Sequence, residues 1–202
     1  MNPAAILTQL GKQTEGSQSL PPVDQWHPEH CGEMDLVICR DGRWLHEGAP
    51  IGRARLVHLL SRVLRREADG SYCLVTPVEK MTIQVEDRPF LAVDCALVAE
   101  TSPSSVVSGD HQAVWQLTTD QGDIVRLEGE TCLELSETPE GEWLPEVVVR
   151  FGLAARLHRN LYYRLLETAD IRELDEGGQA LGFMSGGRWQ CLGHLSAAEA
   201  DG

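Results

Sequence analysis

The stretch Pro50–Glu67, PIGRARLVHLLSRVLRRE, is the most strongly patterned part of the chain. Its apolar residues recur at helical spacing, Pro50 suits the first turn of a helix, and Gly70 suits the position just past its end. The pattern therefore predicts one long helix across Pro50–Glu67. On such a helix an arc of about 100° would hold a stripe of basic side chains: Arg55, His58, Arg62, Arg65 and Arg66.

This basic stretch stands out because the chain as a whole is acidic. The 202 residues carry a formal net charge of −14, yet five of the 15 arginines lie between Arg53 and Arg66. Residues 40–66 have a balance of +5 and residues 150–164 one of +4, so the remainder carries −23. Strong acidity argues against binding long nucleic acids, which need a basic face. Guanidinium groups one helical turn apart suit an anion with several oxygens. The alternative interpretation of the basic helix is a solvated face whose arginines pair with the surplus carboxylates of the chain.

Strands and hairpins are predicted on both sides of this helix. Asp41-Gly42 tolerates the positive φ of a tight turn, so DLVICRDGRWLHEG is typical of a hairpin. A second helix is expected from Leu153 to Ala169, where leucines are spaced by four. The other predicted strands and hairpins are YCLVTP, MTIQVED, FLAVDCALVAE, AVWQLTTDQGDIVRLEG, TCLELSE, PEVVVRFG and ALGFMSGGRWQCLG.

Composition suggests two domains of α+β class. The Ser- and Pro-rich stretch 101–111 is the best linker, between an N-terminal α+β domain at 26–100 and a C-terminal α+β domain at 112–202. Residues 1–25 form an extended lead-in. Each half is expected to place antiparallel strands around one main helix. Gly52–His58 can be aligned with Gly152–His158, which suggests an internal duplication.

The segment LVTPVEK supplies a second group of candidate site residues: Thr76, Glu79 and Lys80. Short polar residues at the end of an apolar strand, beside a basic helix, are where small-molecule sites tend to form. Lys80 is one of only two lysines in the chain. The structural alternative is an exposed Glu79–Lys80 ion pair, which would stabilise the fold little.

Other chemistry has weaker support in the sequence. The six cysteines are scattered singly, which favours buried free thiols in a reducing cytoplasm. His27, His30 and Cys31 lack a second pair of ligands, so no metal site is expected, and no motif calls for a cofactor. No apolar run approaches the ~20 residues that cross a bilayer. The N-terminus lacks the pattern of an export signal.

Several motifs resemble a bacterial family catalogued as domain of unknown function 1285. They are DGRWLHEGAPIGRARLVHLLSRVLRRE, YCLVTPVEK, VEDRPFLAVD and the terminal SGGRW, and the similarity runs from Trp26 to Gly193. The resemblance implies a two-part α+β fold with a duplicated core and a C-terminal half superficially like pleckstrin-homology domains. It also implies that a nucleotide-like ligand is held between the two parts and that the protein acts in signalling. No activity is established for the family. The family's motifs fall on Gly52, Arg53, Leu56, Thr76, Pro77, Glu79, Lys80, Asp87, Pro89, Phe90 and Asp94, with Arg150 and Arg156 in the second half.

Together these features predict a cytoplasmic binding module for a small phosphate-bearing ligand at the interface of its two halves. Arg53 and Arg55 would contact phosphate, with Lys80 adding a point charge. Thr76 and Glu79 would hydrogen-bond ribose or base, while Arg150 and Arg156 would close the site.

Two other functions stay open at this point. The basic helix could dock an acidic segment of a partner protein, through Arg55 and Arg62. Alternatively the chain could be a phosphoester hydrolase that uses Glu79 or Asp94 with a metal.

Overall fold

The computed structural model of the chain describes residues 20–99, 113–174 and 177–195, so most of the expected lead-in and the expected linker at 101–111 lie outside it. The chain divides into two compact units. The first comprises residues 1–89 with Arg150–Leu153, and the second Phe90–Val149 with Ala154–Gly202.

The first unit is built on one six-stranded sheet, sheet A, in the order β3-β2-β1-β6-β5-β4. Strands β1 and β6 are parallel, and the other neighbours are antiparallel. A 3-10 helix at Val23–Gln25 precedes the sheet. The elements are β1 (His30–Ile38), β2 (Trp44–His46), β3 (Ala49–Pro50), α1 (Ala54–Ser61), β4 (Leu64–Arg66), β5 (Tyr72–Val75) and β6 (Glu79–Val85).

The predicted helix over Pro50–Glu67 is wrong in its extent. Pro50 ends β3, the helix itself is only the eight residues of α1, and Leu64–Arg66 is a strand. Strand β4 pairs with β5 through a turn at Gly70, whose φ of +89° favours glycine. Antiparallel pairing with β5 outweighs the helical spacing of the apolar residues. In the strand, the side chain of Leu64 is completely buried. The continuous basic stripe therefore does not exist.

The second unit contains two sheets and one helix. Sheet B has the order β10-β11-β12-β7-β8-β9, and sheet C the order β13-β14-β15. The elements are β7 (Phe90–Ala99), β8 (Ala113–Thr119), β9 (Ile124–Arg126), β10 (Leu133–Glu137), β11 (Trp143–Arg150), β12 (Leu153–Leu157), α2 (Arg159–Leu166), β13 (Asp170–Glu173), β14 (Gln179–Ser185) and β15 (Arg188–Leu195).

The second predicted helix, Leu153 to Ala169, is also wrong at its start. All five residues of Leu153–Leu157 are buried in a strand that runs parallel to β7. Helix α2 begins only after His158, whose Nδ1 accepts the Asn160 N–H at 3.3 Å. Since Gly52–His58 leads into a helix and Gly152–His158 into a strand, their proposed alignment as a repeat is wrong as well.

The chain divides before β7 rather than after it. Phe90–Ala99 is confirmed as a central strand, but it lies between β12 and β8 in sheet B and so belongs to the second unit. The hairpins around Asp41-Gly42, Gly122 and Gly186-Gly187 are confirmed. The protein is thus mostly sheet in two units, with two α-helices among the described residues. Within those residues, neither helix is long and apolar enough to span a membrane.

Candidate functional site

Thr76 builds a tight turn between β5 and β6. It is buried, its Oγ1 accepts the Glu79 N–H at 3.1 Å, and its own N–H donates to the Glu79 carbonyl at 2.9 Å. This pattern satisfies the polar groups that Pro77 and the chain reversal would otherwise leave unpaired. The role of Thr76 in the structure is therefore to close the turn.

Glu79 lies on the buried face of β6. Its side chain shares that face with Met81 and Ile83, and the residue is only 5% exposed. Among the described residues, its Oε1 has no hydrogen-bond partner. A buried carboxylate oxygen in this position can accept a hydrogen bond, but it does not lie at the protein surface.

Lys80 lies on the opposite face of β6, in a polar cluster around Glu67. The Glu67 carboxylate accepts hydrogen bonds from Arg65 Nε at 2.7 Å, Lys80 Nζ at 3.1 Å and Cys73 Sγ at 3.2 Å. Burial opposes ionisation of Glu67, but these three donors outweigh it and lower the pKa of its carboxyl. The hydrogen bond to Glu67 raises the pKa of Lys80, and burial raises the pKa of the Cys73 thiol to about 12. Lys80 is therefore engaged by an acid, and Cys73 stays a thiol.

Arg65 also holds the N-terminal segment against the sheet. Its Nη1 donates to the Val23 carbonyl at 2.7 Å and to the Trp26 carbonyl at 2.8 Å. Val23 is completely buried beneath this contact. One arginine of the predicted ligand-binding stripe thus has a structural role.

The Glu67 cluster gives a pH-dependent prediction. Glu67→Gln is expected to lower the free energy of unfolding by about 2 kcal/mol at pH 7, because charge-assisted hydrogen bonds are lost. Since the pKa of Glu67 is lowered in the folded state, this stability is present above its ordinary value of 4.5 and is lost as the pH falls through the folded value. Urea unfolding of both proteins between pH 7 and pH 3 would measure it. A difference that stays constant down to pH 3 would contradict the assignment.

Arg53 and Arg55 stand at the N-terminal end of α1. Arg53 is the N-cap residue, with extended backbone (φ −94°, ψ 98°), and no side chain caps the helix. Both arginines are exposed, and neither has a hydrogen-bond or ion-pair partner within the part of the chain that the structure describes. The first turn contains no acidic residue. This end of the helix therefore presents donors and positive charge.

The register of sheet A places the two predicted groups at opposite ends of the sheet. The Thr76–Glu79 turn lies where β1 and β6 begin. The chain leaves β3 at the other end, where the Ile51 N–H donates to the Trp44 carbonyl, and Arg53 follows two residues later. Because β6 has seven residues, the two groups are separated along the sheet by roughly 20 Å. Arg53 and Lys80 thus do not converge.

Arg150 and Arg156 are both engaged in the fold. Arg150, which belongs to the first unit, donates through Nη1 and Nη2 to the carbonyl of Ser61, the last residue of α1, at 3.2 Å each. Arg156 is 5% exposed in the second unit, where its Nη1 donates to the Leu144 carbonyl at 2.7 Å and to Ser136 Oγ at 2.9 Å. Each guanidinium satisfies backbone carbonyls or side chains that would otherwise lack donors.

The end of sheet A near Arg53 holds a further donor that the sequence did not reveal. Trp44 is 2% exposed, and its Nε1 has no acceptor among the described residues. Nothing in a sequence shows whether an indole N–H finds an acceptor.

Metal and thiol chemistry find little support in the geometry. Within residues 20–99, 113–174 and 177–195, no group of three or more His, Cys, Asp or Glu side chains could hold a metal ion. Asp94, a candidate for hydrolysis, accepts from Arg164 Nη1 at 2.7 Å. All six cysteines are free thiols, but only Cys39 and Cys73 are buried, so the expectation that the thiols are buried is correct for these two.

Comparisons with known proteins identify a family without an assigned function. The N-terminal domain of the DUF1285 family, described as a domain of unknown function, matches residues 21–88, and its C-terminal domain matches residues 89–192. The two matches meet next to the division at Pro89. A comparison with curated proteins found no match.

Solved structures of the same family resemble this chain. A DUF1285 family protein from Silicibacter pomeroyi DSS-3 is 34% identical, with a TM-score of 0.75 over 91% of this chain and 92% of that one. Another, from Shewanella baltica OS155, is 24% identical, with a TM-score of 0.48 over 66% of this chain and 91% of that one. Since the family's two domains together span most of the sequence, the chain belongs to the DUF1285 family.

Proposed function

We propose that this protein is a binding module whose first unit holds a small phosphate-bearing ligand at the N-terminal end of α1. The observation that carries the proposal is a surplus of hydrogen-bond donors at this end of sheet A. Arg53, Arg55 and the uncapped first turn of α1 offer donors, and among the described residues no acceptor meets the two guanidiniums. An acceptor-rich anion complements such a surface.

Local geometry leaves room for the anion to approach. A Cβ added to Gly52 would meet no atom within 4 Å, so the backbone just before the helix cap is open. Each guanidinium can give two parallel hydrogen bonds to a phosphate.

The candidate site is therefore smaller than the sequence suggested. Of the seven expected ligand contacts, the proposal retains Arg53 and Arg55. The remaining five have structural positions in the fold, in a turn, in the cluster around Glu67 or as donors to carbonyls: Thr76, Glu79, Lys80, Arg150 and Arg156. The basic stripe is divided between a helix and a strand, so the proposal does not include docking of an acidic partner along it.

The ligand class and setting follow from the family resemblance and the thiols. A nucleotide-like molecule has the phosphates that this surface suits, and a signalling role would fit a protein that binds one. Six free thiols agree with a reducing cytoplasm. We also propose, from the same resemblance, that the C-terminal half is similar to pleckstrin-homology domains.

Calorimetry and thermal unfolding of the full chain test the proposal. Inorganic phosphate and a set of nucleoside mono-, di- and triphosphates are titrated into wild type and the Arg53→Ala/Arg55→Ala double variant. A ligand at 100 times its Kd should stabilise the wild type by about 2.7 kcal/mol, a rise in Tm of about 5 °C or more. The double variant should lose at least about tenfold in affinity, because two charge-assisted contacts are removed.

Arg43→Ala is the matched control. Arg43 is an exposed arginine of the same unit, but its guanidinium is paired with Asp41. It should leave the affinity unchanged. If no phosphate compound stabilises the wild type, or if Arg43→Ala weakens binding as much as the double variant, the proposal fails.

A further inference from the structure

The first strand of sheet C lies at an open edge. Strand β13 pairs with β14 on one side, and on its other side no described strand pairs with it. All four of its residues are exposed, and Ile171 is 58% exposed. An edge strand of this kind presents backbone groups to which a further strand can bind.

The register with β14 determines which backbone groups face outward. The Leu174 N–H donates to the Gly178 carbonyl at 3.0 Å, so the backbone of Leu174 faces β14. The pairing continues without a shift along the whole of β13. Since the backbone groups of antiparallel strands alternate in direction, the N–H and carbonyl groups of Ile171 and Glu173 face away from β14. These two residues therefore each offer a donor and an acceptor at the free edge.

Two charged side chains of β13 have no ionic partner within the described residues. Asp170 and Arg172 are two positions apart, so they lie on the same face of the strand. Arg172 stacks on the Trp189 ring, 4.6 Å from its centroid, but neither it nor Asp170 makes an ion pair with a described residue. In the same unit the exposed Arg164 does pair, with Asp94 at 2.7 Å. The edge strand thus carries one uncompensated charge of each sign.

We infer that β13 pairs with β13 of a second copy of this chain, antiparallel, across a two-fold axis at Ile171. Outward-facing residues can only be opposite outward-facing residues, so the register between the copies can change only in steps of two residues. With Ile171 opposite Ile171, the Asp170 of each copy is opposite the Arg172 of the other. The two neighbouring registers place Asp170 opposite Asp170 or Arg172 opposite Arg172, and like charges directly opposite are destabilising. Charge therefore selects a single register and a self-complementary partner.

This register satisfies the backbone and the side chains together. The N–H and carbonyl of Ile171 would exchange hydrogen bonds between the copies, with the two isoleucine side chains adjacent on one face. Asp170 and Arg172 would meet in non-hydrogen-bonded positions, where side chains approach most closely. Because one short strand supplies the contact, the interface is small and the dimer should form only at high protein concentration. The inference is independent of the anion site proposed for the first unit, and either can fail without the other.

Sedimentation velocity of the full chain tests the inference, from about 5 to 500 µM because a small interface associates weakly. Wild type should pass from monomer to dimer within this range. Asp170→Arg and Arg172→Asp should each weaken self-association by about tenfold or more, since each variant places like charges opposite one another. The two substitutions change the net charge in opposite directions, so a general charge effect would not weaken both.

A mixture of the two variants is the sharpest arm of the experiment. An equimolar mixture of Asp170→Arg and Arg172→Asp should form a heterodimer, because both cross-strand pairs are then again of opposite charge. Glu134→Arg is the control: it makes the same charge reversal at an exposed position of β10 and should leave self-association unchanged. Urea unfolding followed by tryptophan fluorescence shows whether Arg172→Asp, which loses the contact with Trp189, is folded.

Hydrogen exchange of the wild type needs no substitution. The amide of Ile171 should become more protected as the protein concentration rises, whereas the amide of Arg172, which faces β14, should change little. The inference is overturned by a wild type that stays monomeric over the whole range, or by an Ile171 amide whose exchange does not depend on concentration. It is also overturned by a mixture that stays monomeric although both variants are folded, or by a Glu134→Arg variant that loses self-association as Asp170→Arg does.

Discussion

Gly182→Ala is expected to lower the free energy of unfolding of the second unit by about 3 kcal/mol or more, since overpacking here falls on backbone. An added Cβ would lie 2.2 Å from the Gln190 carbonyl oxygen and 2.7 Å from two ring carbons of Trp189. The β14–β15 pairing shifts register between Leu181 and Gly182, which brings the neighbouring strand close. The Trp189 ring is itself covered by the Arg172 guanidinium, 4.6 Å from its centroid, so it has little room to move.

Gly193→Ala in the same hairpin provides the control. The nearest atom to its added Cβ is Tyr162 Oη at 3.7 Å, an ordinary van der Waals contact. Urea unfolding followed by tryptophan fluorescence and far-ultraviolet circular dichroism should show a large loss for Gly182→Ala and little change for Gly193→Ala. Equal midpoints for Gly182→Ala and wild type would contradict the packing described for sheet C.

The sequence predicted correctly those parts of the fold that depend on residues close together in the chain. The Asp41-Gly42 and Gly186-Gly187 turns each join strands as expected, because positive φ at a glycine favours a tight reversal. Alternation along Met81–Val85 likewise reflects one buried and one exposed face of β6. These features depend on residues a few positions apart.

The predicted bounds of the two helices are wrong because pairing with distant strands determines where each helix begins or ends. Leu153–Leu157 is buried on both sides as the parallel partner of β7, so it shows no alternation that would distinguish it from a buried helix. Leu64–Arg66 becomes a strand by pairing with β5. In both places the helical spacing of apolar residues predicted a helix, whereas sheet pairing determines the structure.

The candidate site was only partly predictable for the same reason. Arg53 and Arg55 were identified from local charge, and they remain the exposed cations of the proposal. Lys80 was grouped with them because it follows the end of an apolar strand that was expected to lie beside the basic helix. The parallel register of β1 and β6 sets its distance from Arg53, and register depends on pairing across the sheet.

Arg156→Met is expected to lower the free energy of unfolding by about 3 kcal/mol, because removal of a buried cation leaves its partners unsatisfied. The Leu144 carbonyl and Ser136 Oγ would lose their donor, and Glu146, 3.6 Å from the guanidinium, would stay partly buried without it. Arg164→Met is the control, since Arg164 and its partner Asp94 are both exposed, and it should change stability little.

The same variant distinguishes a structural arginine from a ligand contact. Titration of phosphate compounds into Arg156→Met, at a temperature where it stays folded, should give the wild-type affinity, because the proposed anion site uses Arg53 and Arg55. Chemical denaturation of Arg156→Met and Arg164→Met supplies the stability comparison. A variant that keeps wild-type stability but loses phosphate binding would reverse the assignment, since the guanidinium of Arg156 would then serve an anion rather than the carbonyls of β10 and β11.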